Sequence, residues 1–193
     1  MKETPILFKP EMIRAILDDR KTQTRRLIKM HHRCPYGRKG DLLWVKEGFG
    51  LIWLLNGYAL SGPPLPDKSD IKNFVPIYKN CMSDFEESLS PYFWSPLFMF
   101  KEHARIWLEL TADPIPQRLQ DITEEDAIAE GVGHGFQMNA GWPDYEHIKN
   151  GICELTQDTA RMSFVSLIDK INGPRSWEKN PWVWKLKFKR IEK

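Results

Sequence analysis

The C-terminal stretch WVWKLKFKRI, residues 182–191, alternates apolar and charged side chains with the two-residue period of a β-strand. Its apolar side chains face one way and its lysines the other: Trp184, Leu186 and Phe188 against Lys185, Lys187 and Lys189. The segment Arg105–Thr111 alternates in the same manner. One apolar face and one polar face are typical of strands in antiparallel sheets.

Few helical segments separate the predicted strands. A short one begins at Pro10, a residue that suits a first helical turn. A second follows the capping residue Thr123 and ends before Gly131, and the longest covers residues 156–171. Strands mixed with few helices predict an α+β fold, a small and mostly antiparallel β-barrel with helices against its ends.

The length of the chain fits one domain with a long insertion. The whole of residues 1–193 is expected to form a single domain, because 193 residues lie within the usual range for one. Residues 52–92 lack a regular period and are rich in Pro, Gly, Ser and Asp. We expect them to form an irregular insertion, with a strand near residues 75–79. The net charge is only +2, so any binding of nucleic acid must depend on local clusters of cations.

The cysteines and the hydropathy predict a cytoplasmic protein that has no membrane span. Cys34, Cys81 and Cys153 are odd in number and far apart, which argues against a disulfide scaffold. No stretch approaches the roughly 18–20 apolar residues of a membrane helix, and the first residues lack the apolar core of a signal peptide.

A metal site is the one cofactor that the sequence invites. His31 and His32 lie close to Cys34 in the stretch HHRC. Adjacent histidines rarely bind one tetrahedral ion, and no second pair of ligands follows at the spacing of a zinc site. We therefore expect neither a metal nor another cofactor.

Residues 20–26, RKTQTRR, place four cations around two threonines. On a flat strand Lys21 and Thr24 would point to opposite faces, because three positions separate them. They can meet only if Lys21 lies in the turn before the strand or at a bulge. Three interpretations remain open: a base beside a nucleophile, part of a phosphate-binding strip, and a basic edge strand that resists aggregation.

Two further stretches offer functional side chains. Glu130 falls in the last turn of its predicted helix, where a carboxylate opposes the helix dipole; it has either a specific task or a solvated position. The stretch WSPLFMFKEHARI, residues 94–106, places aromatic residues before Lys101, His103 and Arg105. That composition suits stacking on single-stranded bases, and equally a loop that packs on the core.

Several segments in this order resemble the ASCH domain family, in the branch common in phages and prophages. They are PILFKPEMIRAILDDRKTQTRR (5–26), CPYGRKGDLLWVKEGF (34–49), WSPLFMFKEHARIWLELT (94–111), RLQDITEEDAIAEG (118–131), INGPRSW (171–177) and NPWVW (180–184). The resemblance implies a PUA-like fold, a small β-barrel with flanking helices. The chain departs from the branch at Asp19, where Gly is frequent, and at residues 99–101, where Met-Pro-Arg is frequent.

The resemblance also implies a catalytic set. A small bacterial member of the family removes the acetyl group from acetylcytidine with a Lys, a Thr and a Glu. Its RKTxTxR segment matches Lys21 and Thr24 here, and its helical Glu matches Glu130. The implied roles are Thr24 as nucleophile, Lys21 as base, and Glu130 as the group that orients Lys21 or relays its proton.

The implied partner is a modified nucleoside or single-stranded RNA. Residues expected to bind it are Arg20, Arg25, Arg26, Trp44, Glu47, Trp94, Lys101 and Arg105. Other family members are proposed to bind RNA or to cleave single-stranded RNA. A non-catalytic RNA-binding module and a ribonuclease that uses the same cleft are therefore the alternatives.

Overall fold

A computed structural model describes residues 1–29, 33–55, 58–61, 74–78, 94–133, 141–149, 152–153 and 155–193. The strands are β1 Glu3–Leu7, β2 Gln23–Leu27, β3 Leu42–Lys46, β4 Phe49–Leu55, β5 Tyr58–Ser61, β6 Phe74–Tyr78, β7 Trp107–Leu110, β8 Ile115–Arg118, β9 Trp142–Pro143, β10 Ile148–Lys149, β11 Ile152–Cys153, β12 Thr156–Gln157 and β13 Trp182–Ile191. The helices are α1 Pro10–Leu17, α2 Glu124–Ala129 and α3 Ala160–Asn172.

The centre of the molecule is a curled mixed sheet that forms a half-barrel. Its strand order is β1-β3-β7-β13-β2, and β8 pairs with β13 as well. The β1–β3 pair is parallel, and the other pairs in this sheet are antiparallel. The expected α+β class, a small barrel-like sheet with a few helices, is thus confirmed at this level.

The long strand β13 makes the sheet curl. Its first half pairs with β2 and β8, with Leu186 opposite Thr24. Its second half pairs with β7, with Phe188 opposite Leu110. A single strand of ten residues therefore belongs to both sides of the half-barrel. Its twist turns one side relative to the other, as expected of strands in curled sheets.

Alternation predicted the buried face of these strands well. Ile106, Leu108 and Leu110 are at most 1% exposed, and Leu186 and Phe188 lie in the same core. Helices α1 and α3 cover this core with Ile13, Phe164 and similar side chains. Of the three lysines of β13 predicted to face solvent, Lys185 does not, because its side chain is only 12% exposed and pairs with Asp126.

Helix α3 starts later than the sequence predicts. The side chain of Thr159 accepts a hydrogen bond from the N–H of Met162, and the helix begins at Ala160. Residues Thr156–Gln157 instead pair with Trp142–Pro143 in a small antiparallel ladder. The prediction that the helix starts at residue 156 was wrong. Thr156 and Thr159 are both suitable N-cap residues, so the sequence does not show which of them caps the helix.

The described part of the insertion has more regular structure than the sequence indicated. Strands β4, β5 and β6 form a three-stranded antiparallel sheet in the order β5-β4-β6. The strand expected near residues 75–79 is present at Phe74–Tyr78. Strand β4 was missed because its run FGLIWLL is apolar throughout and shows no alternation. Residues 62–73 and 79–93 lie outside the described part of the chain.

The described helices were also compared with what a membrane crossing requires. Within the described ranges, no helix is both long enough and apolar enough to cross a membrane.

Candidate functional site

Lys21 lies in the turn between α1 and β2, outside the strand. The N–H groups of Arg20 and Lys21 both donate to the carbonyl of Ala15, at 2.9 and 3.0 Å, and so close the end of α1. Asp19 has a φ of 56°, a left-handed conformation that Asp tolerates and Gly adopts freely. This placement confirms the turn position that Lys21 needs if it is to meet Thr24.

The backbone of Gly131 allows Lys21 to lie close to the end of α2. Gly131 has a φ of +83°, and a Cβ atom added to it would lie 2.8 Å from the Cβ of Lys21. The same added atom would lie 2.9 Å from the Cβ of Ala15. Only glycine fits this position without strain, because it combines a left-handed backbone with a close approach.

The amine of Lys21 binds the end of α2 at two points. Its Nζ atom lies 2.8 Å from Oε2 of Glu130 and donates at 2.6 Å to the backbone carbonyl of the same residue. Both side chains are buried, at 2% and 5% exposure. The cation therefore offsets the unfavourable position of Glu130 at a helix C-terminus, where the dipole favours positive charge. The solvated alternative for Glu130 does not hold.

Arg25 joins the same network from β2. Its guanidinium lies 2.9 Å from Oε1 of Glu130 and 2.6 Å from Oδ2 of Asp126. Lys185 of β13 also binds Asp126, and Gln23 donates to the carbonyl of Asp126 at 2.6 Å. We call Lys21, Arg25, Asp126 and Glu130 the lysine cluster.

The lysine cluster forms because the spacing of side chains along α2 matches their spacing along β2. Asp126 and Glu130 are four residues apart on a helix, a rise of about 6 Å. Residues two apart on a strand are separated by about 6.6 Å and share one face. Gln23 and Arg25 therefore reach the side of α2 that carries both carboxylates. The edge-strand interpretation is correct in topology, since β2 ends the sheet. It is wrong for the cations, since Lys21 and Arg25 are buried.

Burial alters the acidity of the cluster. Loss of water around Lys21 lowers the pKa of its amine, and the neighbouring Arg26 and Arg25 lower it further, while Glu130 opposes them. Burial alone would raise the pKa of Asp126, but the hydrogen bond from Lys185 and the charge of Arg25 lower it. The amine of Lys21 therefore gives up its proton more readily than the amine of an exposed lysine does.

A cavity of about 750 Å³ opens beside the lysine cluster. Lys21, Thr24 and Glu130 all line it, and Thr24 is only 4% exposed to solvent. Its apolar walls come from α1, from α3, from the segment after β1 and from single residues of other segments. They include Phe8, Met12, Ile13, Tyr36, Trp94, Leu119, Phe164, Leu167, Ile168 and Val183. The cavity has the size and the mixed lining of small-molecule sites, which occupy about 300–1,000 Å³.

Arg26 enters this cavity from the other face of β2. Its guanidinium stacks over the ring of Phe8 at 4.7 Å and donates to the carbonyl of Leu7. Its Nε–H is buried and has no hydrogen-bond partner among the described residues. Burial lowers the pKa of Arg26, although a guanidinium keeps its charge at any ordinary pH. A charged donor is therefore left available at the cavity wall.

Three of the predicted binding residues lie away from the cavity. Arg20 is on the surface, where it pairs with Asp18 at 3.0 Å. Lys101 is also exposed and pairs with Glu3. Trp44 packs with Leu42 and Trp107 in a separate cluster, because alternation along β3 sends it to the opposite face from the core residues Leu43 and Val45.

Glu47 and Arg105 form a second ion pair, also away from the cavity, in which the carboxylate is buried and the guanidinium is partly exposed. Two hydrogen bonds join them, from Nε to Oε1 at 2.9 Å and from Nη2 to Oε2 at 2.8 Å. Arg105 lies 4.1 Å from the ring centre of Tyr78, and the backbone N–H of Glu47 contacts the sulfur of Met99. The predicted set therefore divides: Lys21, Thr24, Arg25, Arg26, Trp94 and Glu130 share the cavity, while Arg20, Trp44, Glu47, Lys101 and Arg105 do not.

Sequence reasoning missed several residues of the site. The residues predicted for the site do not include Asp126, Gln23 or Lys185. The i, i+4 spacing of Asp126 and Glu130 is the signal that could have found the first of them, since it puts both carboxylates on one helix face. Phe8 and Tyr36 carry no such signal, because only the tertiary fold brings them to β2.

Metal ligands were sought as well. In the described ranges, no group of three or more His, Cys, Asp and Glu side chains is arranged to hold an ion. His31 and His32, on which the sequence-based metal interpretation depends, lie outside those ranges. Cys34 is a half-buried free thiol, and burial raises its pKa.

Comparison with known proteins was made at three levels. Neither the protein-family models, nor the curated proteins, nor the solved structures include a match to this chain.

Proposed function

We propose that this protein is an amidohydrolase of the ASCH type, with a PUA-like barrel, that removes the acyl group from a modified cytidine. One observation carries the proposal. A hydroxyl, a buried lysine of lowered pKa and a carboxylate that binds this lysine at 2.8 Å line the same cavity. Such a set is what activation of a weak hydroxyl nucleophile requires.

The chemistry balances with these three groups and water. The hydroxyl oxygen of Thr24 attacks the amide carbonyl carbon, and its proton passes to the neutral amine of Lys21. The bond from carbon to the exocyclic nitrogen then breaks, and Lys21 returns the proton to that nitrogen. A water molecule attacks the acyl carbon of the resulting threonyl ester, and Lys21 takes a proton from this water. The bond between the acyl carbon and the oxygen of Thr24 then breaks and releases the acid. The same proton restores the hydroxyl of Thr24.

Glu130 and Arg26 support these steps. Glu130 holds the amine of Lys21 in place and stabilises the ammonium that forms after each proton transfer. The partnerless Nε–H of Arg26 is a charged donor for the oxyanion of the tetrahedral intermediates. The indole of Trp94 and the ring of Tyr36 belong to the lining and offer flat surfaces for a pyrimidine.

The lysine cluster argues against the alternative of an RNA-binding module. That function needs Arg20, Lys21, Arg25 and Arg26 to contact phosphates. Lys21 and Arg25 are instead buried and already bound to carboxylates. Removing them from those partners would leave buried charge uncompensated, at a cost of several kcal/mol.

An activity screen tests the proposal. Purified protein is incubated with cytidines that carry acetyl, propionyl or benzoyl groups on the exocyclic nitrogen, and products are detected by mass. We expect cytidine and the free acid to appear for at least one substrate, at a rate well above that of buffer. A protein that binds cytidine but releases no acid from any of these substrates would refute the amidohydrolase.

A further inference from the structure

The lining of the cavity has far more positive than negative charge. Among the described residues of the lining, the cations are Lys9, Lys21, Arg25, Arg26 and Lys29, and the one carboxylate is that of Glu130. Lys21 and Arg25 are both bound to this carboxylate, so they are compensated. A neutral nucleoside offers no negative charge to the amines of Lys9 and Lys29.

Lys9 and Lys29 both line the cavity and are both exposed, so they lie where the cavity opens to solvent. Lys9 follows Leu7 and Phe8, the two residues that the guanidinium of Arg26 contacts. Lys29 lies three positions beyond Arg26, after the end of β2. Both amines are exposed, and neither forms a hydrogen bond or an ion pair with any described residue.

Neither lysine has a structural task that would explain its place. Lys9 is the N-cap residue of α1, but its side chain makes no capping hydrogen bond. A lysine at a helix N-terminus is also unfavourable, since the dipole there repels positive charge. The two unpaired amines add to the positive charge of a cavity that is already cationic, and an anionic ligand would compensate them.

We propose that Lys9 and Lys29 form a phosphate subsite, and that the ligand of the cavity is a mononucleotide rather than a nucleoside. The phosphate lies between the two amines at the edge, and the pyrimidine points inward to Lys21, Thr24 and Glu130. This inference rests on the proposed function only in taking the base to be a cytosine. A cavity of about 750 Å³ holds one nucleotide, and so favours a free monophosphate over a strand of RNA.

The test separates binding from catalysis. Calorimetry measures the binding of cytidine, of cytidine 5′- and 3′-monophosphate, and of a short single-stranded RNA that contains cytidine. We expect one monophosphate to bind on the order of tenfold more tightly than cytidine, with a preference that falls as salt is added. The double variant Lys9→Gln/Lys29→Gln should lose this preference. A matched double variant at exposed lysines that do not line the cavity, Lys179→Gln/Lys187→Gln, should keep it.

Each result has one meaning. Equal binding of cytidine and both monophosphates, or a preference that survives Lys9→Gln/Lys29→Gln, overturns the subsite. A preference lost equally in the control variant overturns it too, since long-range charge would then be the cause. Tighter binding of the RNA than of either monophosphate overturns the mononucleotide. If the preference behaves as expected but no acylated cytidine or cytidine monophosphate is hydrolysed, the subsite stands and the amidohydrolase fails.

Discussion

Glu130 and Glu47 are two carboxylates that are alike in burial and in being paired with a cation. They differ in the kind of cation and in whether a cavity lies beside them. Glu130 is 4% exposed and Glu47 is 0% exposed, and each binds a cation at 2.8 Å. Glu47 is matched by the fork of one arginine, which leaves neither of its oxygens without a partner. Glu130 is bound by a lysine and an arginine at the wall of a cavity that also exposes a hydroxyl.

The difference shows that a buried ion pair alone does not identify a site. A guanidinium cannot give up its proton, so the pair of Glu47 and Arg105 is suited to holding the residue after β3 to the segment before β7. An amine can do so when it is buried, and burial lowers the pKa of Lys21. Among the described residues, the lysine cluster combines a cavity for a ligand with an amine of lowered pKa.

The largest expected effect is on the proposed catalysis by Thr24. Thr24→Ala should lower the turnover of an acylated cytidine by about three orders of magnitude or more, because the proposed nucleophile is lost. Stability should change by no more than about 1 kcal/mol, since one hydroxyl is removed from a position that lines a cavity. Steady-state kinetics and urea unfolding measure the two quantities.

Thr22→Ala is the matched control, since Thr22 is exposed and its described hydrogen bonds are made by its backbone. It should keep nearly full activity. Glu47→Gln should also keep activity if its pair is structural. Equal turnover in wild type and Thr24→Ala would remove the nucleophile from the mechanism.

The next largest effect is on the free energy of unfolding, which should fall by different amounts when Glu130 or Glu47 is replaced. Glu130→Ala leaves Lys21 and Arg25 buried with less compensation, so we expect a loss of about 3–5 kcal/mol in the free energy of unfolding. Glu47→Ala should lose less, about 1–3 kcal/mol, because the side chain of Arg105 is 28% exposed and can be hydrated. Chemical denaturation of both variants measures the difference. A larger loss for Glu47→Ala would mean that the second pair, and not the lysine cluster, dominates stability.

A smaller effect concerns the glycine that lets Lys21 approach α2. Gly131→Ala should lower the free energy of unfolding by about 1–3 kcal/mol, because it adds a left-handed alanine and a contact with Lys21. Gly40→Ala is the control, since its φ of +85° is nearly the same and nothing lies within 4 Å of an added Cβ. Urea unfolding of both variants should show the greater loss for Gly131→Ala. Equal losses would mean that backbone strain alone is responsible.

The smallest effect is a shift in the pH profile. If Lys21 acts as a base, kcat/KM should rise with pH through the pKa of this amine, which burial holds below its usual 10.5. Arg26→Gln removes a positive neighbour that lowers this pKa, so the rising limb should move to higher pH, whatever happens to the rate. A limb that stays in place would mean that another group is titrating.

Stability should follow the same titration. Because the pKa of Lys21 is lower in the folded than in the unfolded chain, the unfolded state binds more protons between the two values. The contribution of Lys21 is therefore complete above 10.5 and is lost as the pH falls through the folded pKa. The difference in unfolding free energy between wild type and Lys21→Met, measured by urea titration at a series of pH values, should grow with pH over this window.

The sequence by itself determined the elements that depend on local pattern. Alternation predicted the core face of β13 and β7. Thr123 as the cap and Gly131 as the stop predicted the ends of α2. The spacing of Lys21 and Thr24 indicated that Lys21 must lie in the turn before β2 if the two are to meet. The resemblance to the ASCH family pointed to Lys21, Thr24 and Glu130. These signals are local because propensity, capping and period act over a few residues.

Only the tertiary structure decided which charges are buried and which are paired. Arg20 and Arg25 are five residues apart in one cationic run, yet one is on the surface and the other lies against Asp126 and Glu130. Their composition is the same, so no local pattern separates them. The contact between α2 and β2 does, because it joins residues more than a hundred positions apart and removes water from one face of the strand.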